Sequence, residues 1–276
     1  MRITNSRLIA LAIGLLFNTQ SALATQPALP EQFGAIKEFL LDTVAESQHH
    51  GAAATYALLH ENLAEFKRLK ATVEQAPHID QVIDELSAGL ATIATNFEQA
   101  ASLRGAYKAH TSNSDQQLLQ KRNQTKQAIE SLNQRIARVD AELKQAQQAL
   151  PVARTSTDRE KHQITISANL SVLHSLNAQI EIWRRFESTQ QRLAESLQQS
   201  AERTDFLLFV LEKNAQVYRE AANTAQLRRD AHLALSNLAA LGGIESSLTD
   251  LAASWRAVDQ LVNEIGSEAF RYDVGS

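Results

Sequence analysis

The stretch IESLNQRIARVDAELKQAQQAL, running from Ile129 to Leu150, decides the fold. Its apolar positions are Ile129, Leu132, Ile136, Val139, Leu143, Ala146 and Leu150. Steps of three and four residues alternate between them, the heptad repeat that keeps one seam of a helix turned toward a partner. Gln, Lys, Arg, Glu and Asn occupy the other faces. A single narrow apolar stripe on so polar a helix predicts a thin coiled coil, not a helix sunk in a globular core.

A second seam follows: Ile166, Leu170, Leu173, Leu176, Ile180 and Trp183. Folding the chain back on itself sets Leu143 opposite Ile166, Val139 opposite Leu170, Ile136 opposite Leu173 and Ile129 opposite Ile180, all in one register. The fold axis then falls between Arg154 and Thr155. Turn chemistry marks the same place independently, through Pro151 and the capping-box spacing of Thr157 and Glu160. Arms of about 36 residues would project roughly 54 Å at 1.5 Å per residue. Past Trp183 the repeat continues through Phe186, Gln190, Leu193 and Leu197, with one four-residue step shortened to three. Such a discontinuity is expected where the arm enters a wider bundle, or at a kink.

Working outward, the chain of 276 residues holds only 9 Gly and 4 Pro, and beyond Pro30 the prolines are Pro77 and Pro151. Good helix formers fill the intervals, and no β-branched run alternates as a strand would. The breakers predict helices over 30–49, 52–75, 78–109, 114–150, 157–241 and 244–270. Gly89 and Gly105 are weak points, Thr111 to Ser114 is a turn, and Ser114 with Gln117 forms a second capping box. The expected fold is all-α, a helical bundle with a long projecting antiparallel coiled-coil hairpin. In this division residues 1–24 are a signal peptide and 25–112 the N-terminal helices of the bundle. Residues 113–200 form the hairpin, with its tip at 151–158, and 201–276 pack back on the bundle. Leu58, Leu59, Leu63, Phe66, Leu69 and Val73 give the second helix a broad apolar side, and Phe206 to Leu211 is apolar all round.

Arg2 and Arg7, the apolar run Leu8 to Phe17, and Ala22-Leu23-Ala24 have the pattern of a secretory signal cleaved near Ala24. The apolar run is too short for a membrane span, which needs about 20 residues. The net charge is −4, and cleavage would remove two arginines, leaving a more acidic chain. That balance argues against nucleic acid and against stable insertion into anionic membranes. With no cysteine there are no disulfides and no lipoprotein acylation site. The expectation is a periplasmic or secreted bacterial protein.

The common enzymatic signatures are missing: no glycine-rich phosphate loop, no G-x-G-x-x-G, no G-x-S-x-G, no S-x-x-K. No catalytic residue and no cofactor is expected. Glu46-x-x-His49 has the spacing of a di-metal bundle ligand pair, but no second pair exists to complete such a site. Glu46, His49 and His60 are therefore the metal candidates, weighed against histidines that simply terminate or decorate helices; His162, His174 and His232 are isolated. Trp183-Arg184-Arg185-Phe186 reads as two core aromatics flanking two solvated arginines, with a cation–π contact surface as the other reading. The tip residues Val152, Arg154, Thr155 and Ser156 are the candidates for partner contact, because loops carried on rigid elements often hold function.

In outline the hairpin resembles those of efflux periplasmic adaptors. Those proteins flank it with β-rich domains, and murein-hydrolase activators add a peptidase-like domain; neither is legible here, so no family is assigned. The expected function is that of a non-catalytic scaffold, tether or adaptor of the bacterial cell envelope, acting through contacts with an envelope protein. A ligand- or metal-binding sensor bundle and a membrane-active helical protein, using Phe206 to Leu211, are the alternatives. Seams of this kind also pair between chains, so a homodimer is open.

Overall fold

The computed structural model describes residues 29–48, 54–236, 241–267 and 270, and among these every element is helical. The signal-peptide segment and His49 lie outside the described residues. In chain order the helices are α1 (Leu29–Ser47), α2 (Ala54–Gln75), α3 (Ile83–Ser102), α4 (Arg104–Ala149), α5 (Ser156–Arg228), α6 (Ala231–Ser236) and α7 (Leu241–Gly266). Short 3-10 turns at Ile79–Gln81 and Leu150–Val152 precede α3 and follow α4.

Helix α5 has 73 residues and is the spine of the molecule, about 110 Å long at 1.5 Å per residue. Helices α4 and α3 lie antiparallel along it in succession, α6 and α7 pack against it, α2 packs on α3, and α1 touches α4 and α7. Polar links fix this register. Arg229, just past the end of α5, donates to Asp84 at 2.6 Å, the buried Ser87 hydroxyl donates to the Ala222 carbonyl at 3.0 Å, and Arg219 donates to Glu98 at 2.6 Å. Further along, Arg104 donates to Asp205 and Arg122 to Gln191. One long antiparallel pairing thus runs from the inner end of α3 to the tip.

The break between α3 and α4 is a single residue, Leu103, whose N–H reaches the carbonyls of Ala100 and Ala101 in a tightened turn. Thr111 to Ser114, expected as a turn, are helical, and the Ser114 capping box does not form. Thr111 donates to the carbonyl of Lys108 at 3.0 Å instead, so its hydroxyl is spent on the helix rather than on ending it. Gly89 is not a weak point. A Cβ there would lie 2.5 Å from Leu69 Cδ1, so the glycine allows α2 to approach α3 closely.

Helix α5 stops at Arg229, not at Gly242-Gly243. Arg229 has φ 52°, a left-handed conformation that usually falls to Gly or Asn. Its side chain pairs with Asp84 on the surface, and Asp230 caps α6 by accepting from the Leu233 N–H at 2.9 Å. The two glycines lie in the first turn of α7, where helix-breaking tendency matters least.

The seam also needs one change. Leu170 is 51% exposed, while Asn169 beside it is 9% exposed and takes the inward position. With Asn169 the steps from Ile166 to Trp183 alternate regularly. The irregular step expected after Trp183 is present, and α5 passes through it without a break. There Phe33 of α1 meets Trp183 edge-on at 5.0 Å and Phe186 at 4.5 Å, and Phe270 approaches Phe186 at 5.6 Å. Trp183 and Phe186 are fully buried and Arg184 and Arg185 exposed, as the core reading of that tetrapeptide expects. This aromatic junction is where the two-helix arm becomes a bundle. Leu143 and Ala146, further out, are buried but separate from the contiguous core.

Candidate functional site

The tip is built by two short-range devices. Pro151 sits in the first turn of the 3-10 segment, where its missing N–H has no partner to lose. The N-cap of α5 is Thr155, not Thr157. Its hydroxyl accepts from the Asp158 N–H at 3.0 Å and donates to the Asp158 carboxylate at 2.6 Å. Arg159 reaches back to donate to the Ala153 carbonyl at 3.2 Å, and the Ala153 N–H is held by Leu150. A negative carboxylate in the first turn also suits the positive end of so long a helix.

These restraints display the loop side chains. Val152 is 73% exposed, and Arg154, Thr155 and Ser156 are exposed around it. The structure thus brings the four predicted tip residues to one end of the molecule, but their parts differ. Thr155 is engaged in the cap, so it positions the loop, while Val152 and Arg154 present its surface. Asp158 and Arg159 were missed as positioning residues; the spacing of Thr155 and Asp158 was their sequence signal. The distance from Trp183 to Ser156 along α5 puts the tip about 40 Å beyond the aromatic junction. Over that length Ile164 and Val172 are also exposed, two turns apart on one face of α5.

The metal candidates do not converge on a site. Glu46 is exposed on α1 and His60 on α2, and no group of three or more His, Cys, Asp or Glu placed to hold a metal occurs among the described residues. His162 is half-buried, and His174 and His232 are exposed.

The Phe206 to Leu211 run is divided by the fold. Leu207, Leu208 and Leu211 are buried, whereas Phe206 and Phe209 face outward, with Leu103 nearby in exposure. Arg104 lies 5.3 Å and Lys213 5.5 Å from the Phe209 ring centre, close enough for cation–π attraction. Arg104 also binds both Asp205 oxygens, at 2.6 and 3.0 Å. That hydrogen bond, with a second from Lys108, holds the Asp205 carboxyl below its usual range. Among the described residues no helix is long and apolar enough to cross a membrane.

The fold and its exposed end therefore define an all-α protein that carries a capped hairpin tip. Comparison of the chain with protein-family models, with curated proteins and with solved structures finds no match.

Proposed function

We propose that this protein is a non-catalytic, exported adaptor or tether that engages an envelope protein through the tip of its α4–α5 hairpin. One observation carries the reading: the hairpin extends about 40 Å past the aromatic junction and ends in a doubly restrained loop with Val152 73% exposed. A helical pair that buries only one seam adds little to the core, so length beyond the junction suits reach better than stability. Restraint of the loop by Thr155, Asp158 and Arg159 lowers the entropy lost on docking, which favours binding without new contacts.

The chain has no cysteine, so a single engineered thiol carries a crosslinker to one defined place. Arg154→Cys puts it at the tip, and Glu74→Cys puts it on the exposed face of α2. The adaptor reading expects one envelope protein to be captured from the tip, and expects Val152→Asp to abolish that capture while leaving the thermal midpoint unchanged. Capture from α2 alone, or capture at the tip that ignores Val152→Asp, would sink it.

A further inference from the structure

Between Lys161 and Glu181 helix α5 carries no Asp, Glu, Lys or Arg, in a chain of which 21% is charged. Within this run Asn169, Leu176 and Ile180 are buried, on the side turned to α4. The opposite side is uncovered. Ile164 is 63% and Val172 43% exposed, and Ala168, Ser171, Ser175 and Ala178 are exposed with them. A solvent-facing helix surface ordinarily carries charge, so five turns without any, beside exposed Ile and Val, point to a surface kept for contact.

The order of the residues identifies the occupant. From Ile164 the outward positions run through Ala168, Ser171, Ser175 and Ala178 to half-buried Ile182 in alternating steps of four and three. This is a second heptad seam, on the far side of α5 from α4. Its sequence, Ile-Ala-Ser-Ser-Ala-Ile, reads the same in both directions. An antiparallel copy of α5 therefore sets Ile164 on Ile182, Ala168 on Ala178 and Ser171 on Ser175, and twofold symmetry repeats each pair in reverse. Alanine and serine at the centre bring the helix axes to the near end of the usual range, roughly 8 to 10 Å. Two chains of net charge −4 meet here where neither carries Asp, Glu, Lys or Arg, which spares them like-charge repulsion. Lys161 and Arg185, the next positions of the repeat, end the contact.

We propose that this face is a homodimer contact, in which the α5 arms of two copies lie antiparallel about a twofold axis at the level of Leu173. The contact is about 27 Å long and, being one helix wide, buries on the order of 300 Å² per chain. That is below the roughly 800 Å² per partner of a standard interface, so the dimer forms reversibly and at high concentration. The two hairpin tips point in opposite directions, about 54 Å apart. The tip loop takes no part in the contact, which forms whatever the tip binds.

Sedimentation equilibrium of the full chain should show a reversible mixture of monomer and dimer. Ser171→Glu, exposed and outside the α4 seam, should leave monomer alone with Tm unchanged. The chain has no cysteine, so Ala168→Cys and Ala178→Cys report the register. Mixed, the two variants should form a disulfide-linked pair. Each by itself should not, because its thiols lie about 15 Å apart along the axis. Monomer alone up to about 1 mM would overturn the proposal and leave the face to another protein or to solvent. Self-linkage of Ala168→Cys, or a dimer indifferent to Ser171→Glu, would overturn it as well.

Discussion

The two halves of α5 obey different packing rules, although they are one unbroken helix. From Trp183 to Arg228 the helix is covered by the inner half of α4 and by α3, α6 and α7, with α1 reaching the junction, and its buried set includes Leu193, Leu207, Leu208, Leu211 and Tyr218. From Ser156 to Ile180 it is covered by α4, and its inward positions are Asn169, Leu176 and Ile180 with half-buried Ile166 and Leu173 between them. The inner half therefore gains hydrophobic stabilisation from several neighbours, and the outer half from a single seam. Stability within one protein is distributed in such units, and a surface that must stay available is drawn from the weaker one.

The largest expected effect tests that division directly. Trp183→Ala removes the side chain on which Phe33 packs, and should cost about 3 to 5 kcal/mol in urea unfolding. Leu143→Ala, in the outer seam, should cost about 2 kcal/mol or less, since its surroundings are open enough to collapse around the gap. Amide exchange should show the outer arms opening before the inner bundle. Equal losses at the two sites, with uniform exchange, would mean that the halves unfold as one unit and that the contrast is false.

A smaller effect of opposite sign sharpens the same contrast. Asn169 is buried in the seam, and its amide nitrogen has no partner. Asn169→Leu should stabilise the chain by about 1 to 2 kcal/mol by removing the unpaired group. A polar residue at such a position also fixes register, so the leucine variant should tolerate slippage that moves the tip. A thermal midpoint below that of the parent protein would show that Asn169 is satisfied in solution.

The smallest effect concerns charge at the base of α4. The folded Asp205 carboxyl titrates below its unfolded value, chiefly because Arg104 donates to it. The folded state thus holds this proton less readily than the unfolded chain. Its contribution is present above the unfolded value, about 3.9, and is lost as pH falls through the lowered folded value. The Tm difference between the parent chain and Arg104→Gln should accordingly be modest at neutral pH and vanish in acid. A difference that persists unchanged in acid would assign the loss to packing on Phe209 instead.

How much of this was legible in the sequence varies with the range of the forces involved. The seam from Ile129 to Leu150 predicted the hairpin, because a heptad stripe has a single low-energy use. The loop was legible from Pro151, although the cap fell on Thr155 and not Thr157, two threonines whose local spacing to an acidic residue is the same. Thr111 to Ser114 misled because hydroxyl side chains suit both a cap and a back-bonded helix. Contact with α5 resolved the choice in favour of the helix, and the break moved to Leu103. Likewise Leu170 outranked Asn169 on hydrophobicity, yet the regular register required the asparagine. The tip was legible as a loop carried on two long arms.

By itself, then, the sequence determined the all-helical class, the antiparallel pairing and the place where the chain turns back. These follow from breaker scarcity and from periodicity, both properties of neighbouring residues. Only the tertiary structure decided where α5 ends, at a left-handed arginine whose side chain pairs with an aspartate 145 positions away. It alone decided which of Phe206 to Leu211 face water. Those outcomes depend on which faces distant helices cover, and burial of that kind is not encoded in any local pattern.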